Sequence, residues 1–355
     1  MSRFFSERFA SLVPYVPGEQ PKDMKYIKLN TNESPFPPAP EVADAVAGTV
    51  DTLCLYPDPE CTRLKEKLAR LCGVGIENVF VSNGSDEALD MAFAAFCSDD
   101  VPALFADVTY GFYSVFARHN NVPYEEIPLK DDLTVDIDDY IIRKGTVFIA
   151  NPNAPTGLAL PVSELERLVS SNTSRVVVVD EAYVDFGGES AIPLCAKYDN
   201  LLIIQTFSKS RSMAGARIGF AVGDSSLIAD LDKLKYSANP FNVNAMSAKA
   251  AEAALDNDEY TRANCRTVCE NREYTSARLR EMGFEVTDSM TNFVFARHPD
   301  VSGKLIYKKL RENGILIRRF DIPRISDHIR ITIGHKWQMD ALLECVKRIL
   351  EEENA

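Results

Sequence analysis

Val176 to Val179 form an unbroken run of β-branched side chains that ends on Asp180-Glu181-Ala182-Tyr183. A run with no polar face suits a strand buried on both sides, as in a parallel sheet covered by helices. The polar residues that end the run are equally constraining. A carboxylate at the end of an apolar strand is costly unless it finds a cation, and helix capping is its ordinary alternative use.

The neighbouring segments fit such a sheet. Glu60 to Cys72 has helical spacing, with Leu64, Leu68 and Leu71 predicted on one face. Val79-Phe80-Val81, Thr146 to Ala150 and Leu201 to Ile204 read as short buried strands, and a helix is expected from Glu87. Strands separated by helices predict a mostly parallel sheet. Near residue 255 the pattern changes. Asp256 to Arg280 reads as one long charged helix. Short strands come next at Phe284 to Val286, Phe293 to Ala296, Ile315 to Ile317 and His328 to Ile333, with helices at Gly303 to Glu312 and from Trp337. The expected fold class is therefore α/β: a large domain whose mostly parallel central sheet is sandwiched by helices, plus a smaller α+β domain. With 355 residues there is material for both. The expected boundaries are an N-terminal arm at 1–30 joining the small domain, a large domain at 31–255 and a small domain at 256–355. The arm reads as a short helix and then irregular chain, broken at Pro14, Pro17, Gly18 and Pro21.

A net charge of −13 opposes broad contact with a phosphate backbone, so nucleic acid is not an expected partner. The eight cysteines include no CxxC pair and read as reduced thiols of a cytoplasmic protein. Cys265 and Cys269, four apart, have no clustered histidines beside them, and no metal site is expected. The first residues, broken by Arg3, Glu7 and Arg8, lack the apolar core of a signal peptide. No run is long enough for a membrane helix, so no membrane partner is expected.

Ligands of open α/β sheets sit beyond the carboxyl ends of the strands. Four segments bring polar residues there. Asn83-Gly84-Ser85-Asp86 enters a helix, whose exposed N–H groups can bind phosphate; an ordinary N-cap at Ser85 or Asp86 is the plainer alternative. Asn151 to Gly157 is a proline-rich turn. Asp180 to Tyr183 is the third segment. The fourth is Thr206-Phe207-Ser208-Lys209-Ser210, with Arg217 eight residues past the lysine. Each is ordinary alone, and a lone lysine is usually a solvated surface group. One cofactor explains the set. Pyridoxal 5'-phosphate (PLP) needs an amine for its aldehyde, an anion for its pyridinium nitrogen, donors for its phenolate oxygen and a cradle for its phosphate. Lys209 supplies the amine, Asp180 the anion and Tyr183 a phenolate donor. Gly84, Ser85, Ser208 and Arg217 would hold the phosphate, with Arg217 as the charged donor, and Asp86 and Thr206 are further candidate cofactor-binding residues. Tyr110 would stack on the ring.

The order NGSDE, TYGFY, NPNAPTG, DEAY, SKS and R-x-G-F resembles the fold-type-I PLP-dependent aminotransferases. Within them it resembles the histidinol-phosphate aminotransferases, through Tyr15-Val16-Pro17-Gly18-Glu19, Leu29 to Pro35 and Tyr56-Pro57-Asp58-Pro59. Asp180 to Phe186, Asn292-Phe293, Gly314 to Arg318 and Arg330 to Gly334 add to it. The resemblance implies that Lys209 is the Schiff-base lysine and that Arg330 binds the substrate carboxylate by a bidentate fork. It implies that Tyr15, Glu33 and Arg318 lie near the substrate. It also implies that Tyr56 reaches the cofactor phosphate of the neighbouring subunit, hence a homodimer with shared sites. The implied reaction moves an amino group between glutamate and 2-oxoglutarate on one side and histidinol phosphate and imidazole acetol phosphate on the other, a step of histidine biosynthesis. An aromatic aminotransferase and a PLP-dependent threonine-phosphate decarboxylase are the alternatives within the fold. A binding or regulatory protein without chemistry is the alternative outside it. A nucleotide-dependent dehydrogenase is disfavoured because no GxGxxG comes after a strand. One departure stands out. The family places Asn directly before Pro-Thr-Gly as a phenolate donor, and here that position is Ala154. Either Asn153 takes the role through a shifted turn, or Tyr183 acts alone.

Overall fold

A computed structural model describes residues 2–10 and 12–353. Among the described residues, thirteen strands run in chain order as β1 (Ile27–Lys28), β2 (Val79–Ser82), β3 (Ala103–Ala106), β4 (Tyr124–Ile127), β5 (Thr146–Ala150), β6 (Val177–Asp180) and β7 (Leu201–Thr206). They continue as β8 (Gly219–Gly223), β9 (Glu285–Val286), β10 (Phe293–Arg297), β11 (Ile315–Leu316), β12 (Arg318–Arg319) and β13 (Ile329–Thr332). Seven of them make the main sheet in the order β2-β8-β7-β6-β5-β3-β4. Only β8 runs against the rest, pairing antiparallel with both β2 and β7.

Period-two alternation sends successive side chains of these strands into two separate cores. Val79, Val81, Val147, Ile149, Val177, Val179, Leu201 and Ile203 face one side. There they meet Leu64 and Leu68 of helix Thr62–Cys72, Leu165 and Leu168 of helix Val162–Ser171, and Ala250 and Ala254 of helix Ala245–Asp256. Phe80, Phe105, Phe148, Val178, Leu202 and Ile204 face the other side. These pack on Leu89 and Phe93 of helix Ser85–Phe96, Tyr113 and Phe116 of helix Tyr113–His119, and Leu231 of helix Ser225–Ala238. The valine run is thus apolar throughout because both of its faces are covered.

A four-stranded antiparallel sheet, β12-β13-β10-β9, forms a second layer. It packs through Val294, Ala296, Ile329 and Ile331 on helices Asp258–Glu281, Gly303–Glu312 and Lys336–Glu353. The arm joins this unit: β1 pairs parallel with β11, Ile27 opposite Ile315. Two details differ from the sequence reading. Leu71 is exposed, because the buried stripe of its helix runs through Leu64, Lys65, Leu68 and Ala69. Where a short helix is expected at the start of the arm, the described residues form a 3-10 turn, Glu7–Phe9, with no buried residue.

Ile203 is completely buried in the second-to-central strand β7. Ile203→Ala removes three carbons from a packed core and is expected to cost roughly 3 kcal/mol, read as a lowered midpoint in urea unfolding. An unchanged midpoint would show that the two-sided core does not carry this strand.

Candidate active site

Register brings the four polar segments together. Ser82 of β2 and Thr206 of β7 both lie opposite Gly219 of β8, and Asp180 of β6 lies between Ala150 of β5 and Ile204 of β7. The loops leaving β2, β5, β6 and β7 therefore emerge at one edge. They line a cavity of about 190 Å³ with Ser85, Asp86, Tyr110, Ala154, Asp180, Tyr183, Thr206, Ser208, Lys209 and Arg217. Thr31 and Glu33, just past the arm, close it from the other side.

At one end of the cavity is an uncapped helix start beside a guanidinium. Helix Ser85–Phe96 begins after Gly84, and no side chain caps its first N–H groups. This decides against an ordinary N-cap at Ser85 or Asp86. Gly84 sits at φ +81°, and a Cβ there would lie 2.5 Å from Arg217 Nη2. Gly219 lets β8 pass beneath: a Cβ on it would lie 2.3 Å from the Ser85 backbone nitrogen. Arg217 Nη2 donates to Asp86 Oδ2 at 3.0 Å and Nη1 to Ser208 Oγ at 3.5 Å. Asp86 also accepts from the Tyr110 hydroxyl at 2.8 Å. Its carboxylate thus orients Arg217 and Tyr110 rather than facing an anion. Thr206 Oγ1 donates to Ser208 Oγ at 3.0 Å.

In the middle lies Asp180, 6% exposed. Its Oδ1 accepts from the Ala182 N–H at 3.1 Å and its Oδ2 from the Tyr113 hydroxyl at 3.1 Å. Among the described residues it makes no ion pair. Burial raises its pKa from 3.8 to about 6, against the pull of those two hydrogen bonds. Glu181, one residue on, points to the opposite side of the sheet. There it accepts from Ser190 Oγ at 2.6 Å, the Ala191 N–H at 2.7 Å and Gln205 Nε2 at 2.8 Å, and burial raises it to about 7.

Lys209 Nζ enters from the β7 end, donating to the Thr31 carbonyl at 3.4 Å, and lies 5.7 Å from the centre of the Tyr183 ring. Glu33 accepts from Lys28 at 2.6 Å and from Thr31 Oγ1 at 2.7 Å. Arg330 on β13 is held between the rings of Phe293 and Phe320, at 5.2 and 5.3 Å, and its buried Nε has no partner. Its Nη2 reaches the Asn30 carbonyl at 3.3 Å, leaving the guanidinium under-bonded, as an anion receptor requires. Arg318 on β12 donates to the arm carbonyls of Val16 at 3.2 Å and Pro17 at 3.4 Å. Tyr15 stacks on Phe112 at 4.2 Å, two residues from Tyr110.

Two expected residues are placed elsewhere. Asn153 does not reach the cavity: its Oδ1 accepts from Thr109 Oγ1, and its Nδ2 donates to the Val108 carbonyl and to Thr156 Oγ1. Both its amide protons are engaged, and Ala154 lines the wall instead. In this structure the Asn153 amide is turned away from the cavity. Tyr56 is exposed and stacked on Phe241 at 4.6 Å, outside this chain's own cavity. Sequence reasoning missed Tyr113, the last residue of the TYGFY segment, and Asn32, which donates from Nδ2 to the Tyr183 hydroxyl at 2.8 Å. A larger, open cleft of about 850 Å³ borders helix Asp258–Glu281, but its ionic lining is mixed, with Asp185, Asp258 and Glu270 against Arg211, Arg262 and Arg266.

A family model described as aminotransferase class I and II matches residues 24–346. The chain belongs to that family. It is 47% identical over 350 residues to histidinol-phosphate aminotransferase 1 of Bradyrhizobium diazoefficiens, covering 99% of this chain and 100% of that one. It is 45% identical over 351 residues to the histidinol-phosphate aminotransferase of Clostridium acetobutylicum, with the same coverage. Among solved structures, the histidinol-phosphate aminotransferase of Sinorhizobium meliloti in complex with pyridoxal-5'-phosphate matches with a TM-score of 0.90 at 24% identity, over 99% of each chain. The L-threonine-O-3-phosphate decarboxylase of Porphyromonas gingivalis matches with 0.79 at 23% identity, over 92% of this chain and 99% of that one. At these identities the structures speak for the fold. Among the described residues no helix is long and apolar enough to cross a membrane.

A carboxyl whose pKa rises on folding withdraws stability as pH climbs between its unfolded and folded values. For Asp180 that window runs from 3.8 to about 6. With no ligand bound, Asp180→Asn is therefore expected to melt at a higher temperature than the native protein at pH 8. The gap should close as the pH falls toward 4. A gap that is absent at pH 8, or that widens in acid, would contradict the buried, unpaired charge.

Proposed function

We propose that this aminotransferase is PLP-dependent and moves an amino group between glutamate and imidazole acetol phosphate, yielding 2-oxoglutarate and histidinol phosphate, or the reverse. One observation carries the reading: a lysine amine and a buried carboxylate without a cation of its own share one cavity. The donor set fits PLP at each contact. Lys209 would hold the aldehyde, Asp180 the ring nitrogen and Tyr183 the phenolate oxygen, while the uncapped helix start with Ser85, Ser208 and Arg217 would hold the phosphate. When bound, the cofactor supplies an aldehyde to carry the amino group and a ring that accepts electrons from the carbon losing its proton.

The chain's own residues do the rest. Asp180 holds a proton at the ring nitrogen, which an apolar site without that carboxylate would release. Lys209 Nζ, once free, would be placed to carry the proton to and from the substrate Cα. Tyr110, which lines the same cavity, would cover one face of the ring. Arg330 orients the substrate, and here the two halves of the reaction differ. Glutamate offers a carboxylate on Cα, while histidinol phosphate offers a phosphate ester one carbon further out. A guanidinium fork can grip either oxyanion, and a lysine cannot reproduce that bidentate grip. Arg318, Glu33 and Tyr15 border the place left for the substrate's remaining atoms.

The choice of histidinol phosphate is supported by the names of the full-length relatives at 44–47% identity. The likeness to the threonine-phosphate enzyme is one of fold and favours no decarboxylation. On the same reading the protein acts in histidine biosynthesis in the cytoplasm, as a homodimer. Tyr56 is exposed, as are Val50, Leu53, Leu55 and Tyr236, and it would reach the cofactor phosphate of the second subunit. Residues 31–255 would then form the cofactor unit, with 1–30 and 256–355 as the unit that carries the substrate-gripping arginine.

Initial rates at several fixed concentrations of histidinol phosphate are expected to give parallel double-reciprocal lines against 2-oxoglutarate. Intersecting lines, or release of carbon dioxide, would contradict the reading. Arg330→Lys is expected to raise KM for both glutamate and histidinol phosphate by roughly ten- to a hundredfold, the loss of one charge-assisted hydrogen bond. A change for only one of the two substrates would deny the shared grip.

A further inference from the structure

Ala154 leaves the cofactor's phenolate oxygen with a single side-chain donor, Tyr183, and this makes the state of the Tyr183 hydroxyl decisive. A tyrosine hydroxyl has one proton to give and can turn it toward any acceptor in reach. We propose that Asn32 is a positioning residue that accepts no proton from Tyr183 but donates to it, so that the Tyr183 proton is left for the phenolate oxygen. The proposal rests on the PLP reading above and deepens it.

Asn32 Nδ2 donates to the Tyr183 oxygen at 2.8 Å. Which way an amide faces is decided by its other contacts, and here they decide it. Thr332 Oγ1 accepts from the Asn32 backbone N–H at 2.9 Å and donates to Asn32 Oδ1 at 3.1 Å. Turning the amide over would strand the Thr332 proton and aim Oδ1 at Tyr183, consuming the proton the cofactor needs. The residue is held on its third side as well, since Asn292 Nδ2 donates to the Asn32 carbonyl at 2.9 Å. Asn32 is 1% exposed and sits at φ +57°, a left-handed conformation that asparagine tolerates better than most residues. A donor into the hydroxyl oxygen also polarises the O–H bond and strengthens the hydrogen bond it gives. Two cations face Tyr183 from other elements, Lys209 from the segment after β7 and Arg330 from β13. Substitution at position 32 removes neither.

The readout is the pH at which the visible band of the imine between Lys209 and PLP changes. While that imine is protonated, its own N–H neutralises the phenolate oxygen. When the proton leaves, the oxygen depends on outside donors, so each donor lowers the midpoint and each lost donor raises it. Asn32→Gly deletes the amide and keeps the left-handed backbone free of strain. Asn32→Asp keeps the shape but offers an acceptor to Tyr183. Both are expected to raise the midpoint by about 0.5 to 1 pH unit, the weight of one ordinary hydrogen bond. Tyr183→Phe raises it too, and Asn32→Gly adds nothing on the Tyr183→Phe background, because Asn32 acts through that hydroxyl. Only bound cofactor contributes to the band, so a variant with partial loading is read on its loaded fraction. Midpoints within about 0.2 unit of the native protein in both Asn32 variants, or a full further shift in the double variant, would overturn the proposal. Absence of any visible band in the native protein with PLP would instead overturn the cofactor reading.

Discussion

The site is organised around a carboxylate that, among the described residues, is buried without an ion-pair partner. Asp180 ends the central strand β6, flanked by β5 and β7, where water cannot reach it freely. Two hydrogen bonds, from Tyr113 and the Ala182 backbone, are too few to offset its desolvation. The protein therefore carries an unmet demand for a positive partner at a fixed place. A protonated pyridine ring would meet that demand, and the cofactor's electron-accepting power would then depend on the same contact. On the proposed reading, what weakens the protein without cofactor would make the loaded one effective.

The second constraint is how a sheet-edge cavity acquires its substrate side. The chain leaves the arm through β1, which is paired with β11, and passes Asn30 to Glu33 over the cavity mouth. Its backbone is fastened there by contacts to the smaller sheet. The Thr332 N–H donates to the Leu29 carbonyl at 3.0 Å, and Asn292 and Thr332 grip Asn32. The turn after β5 is fastened likewise: Thr287 Oγ1 donates to the Thr156 carbonyl at 2.6 Å, and the Met290 N–H to the Gly157 carbonyl at 2.8 Å. Cofactor-side and substrate-side residues thus belong to one hydrogen-bonded frame, although they come from separate sheets and cores.

Much of this was legible in the chain. Strands β5, β6 and β7 are short apolar runs with polar residues directly after them, so both the parallel sheet and the convergence of Asp180, Tyr183, Ser208 and Lys209 can be reasoned from pattern alone. Strand β4, Tyr-Glu-Glu-Ile at the sheet edge, has two exposed glutamates and no readable period. Strand β12 is two arginines, Arg318–Arg319, recognisable only by their partner β13. Side-chain direction within turns was the least accessible. The Asn153 amide is drawn inward by Val108, Thr109 and Thr156, contacts that no local spacing announces. Asn32 lies in the Leu29 to Pro35 stretch, but its role depends on a threonine 300 residues away.

The account stands on Lys209 as the amine that faces the cavity shared with Asp180. Borohydride reduction of the protein loaded with PLP makes that linkage permanent, and peptide mass mapping then locates it. The account predicts one pyridoxyl group per chain, on the lysine of Ser208-Lys209-Ser210. A label on any other lysine, or no label on a protein that turns over substrate, would contradict it.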